Sequence, residues 1–349
     1  MSDAFESVVG QPAAVEVLRA AVRSPVPSYL LVGPGGSGVR EAARAFAGEL
    51  LAAVAAPEEA DRHRRLALAE EHPDLVVIDR VGPFITADQA RAAVRACSTS
   101  PVEGTRKVVM LSDLHLVRDA GPMLLKAVEE PPPTTVFVLL AEEVPPELVT
   151  IASRCVLVEF AAVSADEIVG VLTASGVEES RARFAAVAAG GSLARARLLV
   201  SDEAAAARWE AWAALPQRLD GTGAAVGEAV DLLLGLLEGA AGPLEARHAE
   251  ERAALEKRAE EFGERGLARS GFDERQKREL RRLRVDELQM GFTALGAALR
   301  DRILDGEVTA TAGAVALQAV NDAGAALGRN PNERLLLQHL LLQIGDAGR

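Results

Sequence analysis

One stretch limits the folds open to this chain: Pro27-Ser28-Tyr29-Leu30-Leu31-Val32-Gly33-Pro34-Gly35-Gly36-Ser37-Gly38-Val39-Arg40. Tyr29 to Val32 is a short apolar run that reads as a buried strand. A glycine loop follows, and then a helical pattern through Glu41-Ala42-Ala43-Arg44-Ala45-Phe46-Ala47. Strand, glycine loop and helix in that order form a phosphate-binding loop, in which amides at a helix N-terminus cradle anions. Gly33 and Gly38 have its spacing, with Gly35 and Gly36 between them. The next two positions do not. A nucleotide hydrolase needs Lys and then Ser or Thr, whereas Val39 brings no charge for the phosphates and Arg40 no hydroxyl for Mg²⁺.

The rest of the first half repeats the strand–helix alternation. Leu75–Ile78, Lys107–Leu111, Val136–Leu140 and Cys155–Val158 are apolar strand candidates. Helical patterns separate them at Thr86–Arg95, capped by Thr86, at Asp119–Glu130, stopped by Pro131-Pro132-Pro133, and at Pro145–Ser153. Such alternation predicts a parallel sheet covered on both faces. After Phe160 the strand signals stop. Ser164-Ala165-Asp166-Glu167 is a capping box that opens a run of small helices, and beyond Asp202 the pattern is helical throughout. The expected domains are an α/β unit over 1–160, a small helical unit over 161–203 and an all-helical unit over 204–349. The last carries a charged insertion at about 240–280, where the Glu/Arg mixture predicts a long exposed helical hairpin or a partly disordered segment.

Composition narrows the function. Aromatic residues are only 3% of the chain, which leaves few rings for stacking bases, and a net charge of −13 opposes nucleic-acid binding by the chain alone. Cys97 and Cys155 are far apart and form no metal-ligand cluster. The N-terminus lacks a signal-peptide pattern and no apolar run reaches membrane length, so a soluble, cytoplasmic chain without membrane contact is expected.

Three motifs in fixed order carry a resemblance: Leu124-Leu125-Lys126-Ala127-Val128-Glu129-Glu130-Pro131-Pro132, the strand Phe137–Leu140, and Ser153-Arg154-Cys155. Residues 5 to about 200 resemble the clamp-loader branch of the AAA+ ATPases. The resemblance implies a P-loop α/β domain, a helical lid and a C-terminal helical collar for oligomer assembly. Within that pattern the strand ending in Leu111 should continue as Asp-Glu; Ser112 and Asp113 stand there, and Ala141 takes the place of the polar γ-phosphate sensor. The parts a subunit needs for its own phosphoryl transfer are all altered. Arg154 remains, and by resemblance it is an arginine finger acting on a neighbour's nucleotide. Ala194 stands where active members have a second-sensor arginine, so Arg195 and Arg197 read as surface or interface charges.

A subunit with a finger and no phosphate site resembles the delta-prime family of bacterial DNA polymerase III clamp loaders. Its implied partners are the gamma/tau motor subunits and delta, with the sliding clamp and primer-template DNA met through the assembled complex. No cofactor is expected: the ATP site is degenerate, and Ala52–Pro73, where many such subunits carry a four-cysteine zinc module, contains no cysteine. Gly33, Gly35, Gly36, Gly38, Val39 and Arg40 are therefore expected to form an inactive phosphate loop. Two other readings stay open: an autonomous P-loop ATPase or nucleotide kinase using Arg40 in place of lysine, and a helical scaffold whose loop binds nothing.

Overall fold

A computed structural model describes the backbone of residues 4–80, 84–262 and 267–347, with side chains described outside 254–275, 278 and 347. Five strands, β1 (Ser28–Val32), β2 (Leu75–Ile78), β3 (Lys107–Leu111), β4 (Thr135–Ala141) and β5 (Val156–Glu159), form one sheet in the order β2-β3-β4-β1-β5. Every pairing is parallel, as the strand–helix alternation predicts.

Period-two geometry divides each strand between two cores. Tyr29, Leu31, Val108, Met110, Val136 and Val138 face one side, where they pack with α1 (Pro12–Arg23), α2 (Val39–Ala52) and α3 (Ala60–Leu68). Leu30, Val109, Leu111, Phe137 and Leu139 face the other, beneath α4 (Ala87–Cys97), α5 (Gly121–Glu129) and α6 (Val149–Ala152). Small residues let α2 lie close to the sheet: Ala42, Ala43, Ala45 and Ala47 are fully buried beside Phe46, whose ring meets Tyr29 edge-on at 4.8 Å. Thr86 closes a capping box with Gln89 at the start of α4, and Ser164 one with Glu167 at the start of α7 (Ala165–Ala174). The small helices continue as α8 (Glu179–Ala188) and α9 (Leu193–Ser201).

Asp74, fully buried just before β2, ties down the turn that leads into β3. Its carboxylate accepts the backbone amides of Val102, Glu103 (2.9 Å) and Gly104 (2.9 Å). Burial pushes its pKa up, but the three amides outweigh that and hold its carboxyl below the usual range.

The chain divides into two compact units, Met1–Leu198 and Leu199–Arg349. Among the described residues the regular elements of the second are helices: α10 (Ala205–Ala213), α11 (Leu215–Arg218), α12 (Gly223–Phe262), α13 (Leu267–Leu304), α14 (Ala310–Ala326) and α15 (Glu333–Ala347). Its core gathers Trp212, Val230, Leu233, Leu288, Leu295 and Leu340. Phe292 meets Trp212 edge-on, and Gly291 is required beside that indole, because a Cβ there would stand 2.1 Å from a ring carbon. Buried Arg208 is held by Asp202 and by Glu287 at 2.8 Å.

The charged segment at 240–280 is a helical hairpin in its described part, the first of the two forms its composition allowed. Arg252 donates to Gln276 (2.9 Å), Gln276 to the carbonyl of His248 (3.0 Å), and Arg247 pairs with Glu279 (2.8 Å), so α12 and α13 run antiparallel. Residues 263–266 at its tip lie outside the described residues. No helix among the described residues is long and apolar enough to cross a membrane.

Candidate functional site: a phosphate loop filled by its own chain

In a parallel sheet all strands end at one edge, which is where α/β proteins place their ligand sites. At that edge stand the loop Gly33–Gly38 after β1, Asp79 after β2, Ser112 after β3, Glu142 after β4 and Phe160 after β5. Gly36 and Gly38 have φ of 83° and 92°, a region that side chains disfavour, and α2 begins directly after Gly38. The strand–loop–helix layout read from Gly33, Gly35, Gly36 and Gly38 is therefore present.

The chain itself supplies the reasons for these glycines. A Cβ on Gly33 would stand 2.6 Å from Phe160 Cβ, and one on Gly36 would stand 1.9 Å from Ser192 Oγ. A Cβ on Gly35 would lie 2.9 Å from a carboxylate oxygen of Glu142. Desolvation raises the Glu142 carboxyl above the usual range; Asp113 and Glu143 add to this and His115 opposes it. Gln11 ties the loop to the segment that follows β5. Its Nε2 donates to the carbonyls of Ser37 (2.9 Å) and Ala161 (2.6 Å), and its Oε1 accepts the Ala161 amide. Nothing local in the sequence around Gln11 marks this role, because the partners lie 26 and 150 residues away.

Arg40 is the centre of the edge. Its Nε and Nη2 fork onto Glu70, each at 2.7 Å, and Nη1 and Nη2 reach Asp79 at 2.7 and 3.0 Å. Nη1 also lies 3.3 Å from Ser112 Oγ. A fixed cation thus bridges two carboxylates beside the strand end at which a nucleotide hydrolase keeps its metal-holding carboxylate. Hydrogen bonds to Asp79 and then Glu70 raise its pKa further and keep it charged. Val39, the other replaced position, contributes only packing against the first core.

The remaining candidates separate from this edge. Asp113 pairs with Arg80 (3.0 Å), and nearby His115 accepts the Glu142 amide (3.1 Å). Ala141 ends β4, and its carbonyl accepts the Gly33 amide. Arg195 turns back onto the Ala189 carbonyl (2.9 Å). Arg154 lies between α6 and β5, at the amino end of that strand. The four residues of β5 span about 13 Å, so Arg154 occupies the sheet edge opposite the loop. Its Nε lies 3.1 Å from Glu129, and its Nη1 donates to the Thr150 carbonyl (2.8 Å) with Ser153 Oγ at 3.4 Å. Cys155 packs against the second core, and burial pushes its thiol up to about 12, which makes it a poor nucleophile.

One further cluster carries no motif in the sequence. His63 Nδ1 and His72 Nε2 lie 2.5 Å apart, both rings are buried, and with Glu103 their donor atoms fall within 4.8 Å. The hydrogen bonds show how they are wired. His72 Nδ1 accepts the Asp74 amide (2.9 Å), so in the neutral ring Nε2 carries the hydrogen and donates to His63. A metal-bound imidazole donates through its second nitrogen instead. Arg62 also forks onto Glu103 at 2.8 and 3.0 Å. The donors are committed to one another.

Burial, followed by the neighbouring His63, holds the His72 pKa below its ordinary value, against the pull of Asp74 and Glu103. In that interval the unfolded chain binds a proton that the folded chain refuses. This contribution to stability is complete above about pH 6.5 and declines as pH falls toward the folded value. Urea unfolding is expected to show a larger loss between about pH 7.5 and 5.5 for the native chain than for His72→Gln; equal losses would sink this assignment.

Comparison with known proteins agrees with the α/β unit. Residues 10–164 match the family described as DNA polymerase III, delta subunit. The DNA polymerase III subunit delta' of Pseudomonas aeruginosa is 38% identical over 136 residues, 37% of this chain and 41% of that protein. The subunit delta' of Bacillus subtilis is 32% identical over 136 residues, 38% of this chain and 41% of its own. The subunit tau of Bacillus subtilis is 30% identical over 172 residues, 48% of this chain and 30% of tau. The chain thus spans about two fifths of the delta' relatives it matches. Residues 10–164, the α/β unit, are thus similar to the family described as DNA polymerase III, delta subunit, and to the subunits delta' of two bacteria.

Proposed function

We propose that the chain is the non-hydrolysing delta-prime subunit of a DNA polymerase III clamp loader. It joins gamma or tau motor subunits and delta in a ring, lends Arg154 to the adjoining ATP site, and helps place the sliding clamp on primer-template DNA. The helical unit serves as the assembly collar, and α7–α9 as the lid over a loop that holds no nucleotide. No cofactor is assigned to this chain. The excess of negative charge suits a subunit that meets DNA through its partners.

One observation carries this reading: the two arginines lie on opposite edges of one sheet. Arg40 fills the chain's own loop edge with a guanidinium neutralised by Glu70 and Asp79. Arg154 cannot reach that loop and stands 35% exposed at the other edge. A cation placed there is open to a phosphate on another chain, where a planar fork matches phosphate oxygens.

The test has two arms. Calorimetric titration of the purified chain with ATP and Mg²⁺ is expected to give no binding heat, and co-purification is expected to recover it with delta and a motor subunit. Mg²⁺-dependent ATP binding that Arg40→Ala abolishes would favour the autonomous enzyme instead. Failure to co-purify would leave the scaffold.

A further inference from the structure

We infer that Glu129 is a positioning residue that parks Arg154 on its own chain until a neighbour's triphosphate takes it over. The inference rests on the finger assignment above and adds a residue and a control step to it. Glu129 is the last residue of α5, and the prolines from Pro131 onward prevent the helix from continuing. That fixes where its carboxylate stands. α5 packs against α6, which ends at Ala152, two residues before Arg154. Two helix ends therefore converge to place one carboxylate beside one guanidinium, with Nε and Oε2 3.1 Å apart.

The guanidinium is only partly used. It has two edges able to fork a phosphate, Nε with Nη2 and Nη1 with Nη2. Glu129 occupies Nε, and the Thr150 carbonyl and Ser153 Oγ occupy Nη1. Among the described residues Nη2 has no partner. Each edge is thus half taken, and a bidentate grip on phosphate requires one contact to be released. The Thr150 contact is neutral and local, so the carboxylate is the element that competes with a phosphate by charge. Among the described residues Arg154 is the one cation on Glu129. Both side chains are substantially exposed, 35% for Arg154 and 54% for Glu129. The pair is therefore weak enough to open when a more highly charged anion arrives.

The experiment uses the reconstituted complex with native chain, Glu129→Gln, Glu129→Asp or Arg154→Ala, and records ATP turnover against ATP concentration. Gln keeps the shape and removes the charge. An exposed ion pair of this kind corresponds to a shift of about two- to fivefold, so Glu129→Gln is expected to lower the half-saturating ATP concentration by that factor without lowering the maximal rate. Glu129→Asp, which keeps the charge, is expected to stay near the native value. An unchanged half-saturation in Glu129→Gln overturns the parking role. A raised half-saturation or a lowered maximal rate overturns it too, because the carboxylate would then be aiming the finger. Native turnover in Arg154→Ala would instead refute the finger assignment, so the two failures are told apart by which variant departs from expectation.

Discussion

If Arg154 is the finger proposed above, replacing it with alanine is expected to lower ATP turnover at the adjoining site by about 10³–10⁵, the range seen where an arginine finger is removed from an NTPase. Assembly and folding should be unaffected. The side chain is 35% exposed, and its single ion pair with Glu129 is worth at most about 1 kcal/mol to the fold. The loss arises because a fixed guanidinium stabilises charge that develops on the transferring phosphoryl oxygens, and water in the same place must first reorient. Lysine in this position keeps the charge but not the fork, so Arg154→Lys should recover only part of the rate. Single-turnover hydrolysis by the reconstituted complex, paired with size-exclusion chromatography, separates rate from assembly. A rate equal to that of the native complex would end the assignment.

The second large effect is on stability. Arg40→Ala strands Glu70, whose side chain is 21% exposed, opposite Asp79. Removing one partner from a buried ion pair costs about 3–5 kcal/mol, and from an exposed pair about 0–1. Arg40 lies between these limits at 35% exposure, and Arg44, with Nε 3.6 Å from Glu70, supplies some replacement charge. The expected loss is about 1–2 kcal/mol, or a fall of about 2–8 °C in the unfolding temperature of the unit that contains it. Arg40→Lys should recover less than half, because an ammonium cannot fork onto two carboxylates at once. Thermal unfolding followed by circular dichroism measures both variants; a melting temperature unchanged in Arg40→Ala would show that the bridge contributes nothing to the fold.

The two predictions treat the arginines differently because their settings differ. Arg40 has its hydrogen-bonding capacity absorbed by its own chain, so its removal is felt in folding. Arg154 keeps unused donors at an exposed edge, so its removal is felt where another molecule would meet it. Composition gave no means of telling them apart, since both are single arginines next to short motifs.

Much of the architecture was legible before any coordinates. The five apolar runs became the five strands within a residue or two, because strands covered on both faces of a parallel sheet read as near-continuous apolar runs; the largely exposed edge strand β5 carries such a run as well. Thr86 and Ser164 marked true helix starts, because a cap bonds to amides only two or three residues ahead. The glycine loop and the stop at Pro131 were read from local spacing, the departures at Val39 and Arg40 from the identity of single residues, and the Ser-Arg-Cys motif and the departure at Ser112 from the family resemblance. All of these are short-range properties, and a chain expresses them wherever it folds.

The tertiary structure alone decided which groups meet. Arg40 finds its carboxylates 30 and 39 residues away, Gln11 bridges to Ala161 across 150, and His63 joins His72 only because the turn after α3 brings its neighbours back beneath it. Glu70 sits at a positive φ, unusual for a side chain of its kind, and no turn signal in its neighbourhood announced it. Sequence therefore established that the chain forms a parallel α/β unit with an altered phosphate loop and an arginine between α6 and β5. The fold established that the loop edge is filled from within and that the second arginine faces away from it. Periodicity and capping act over a few residues, whereas ion pairs between strand ends depend on strand order, and strand order exists only once the sheet has closed.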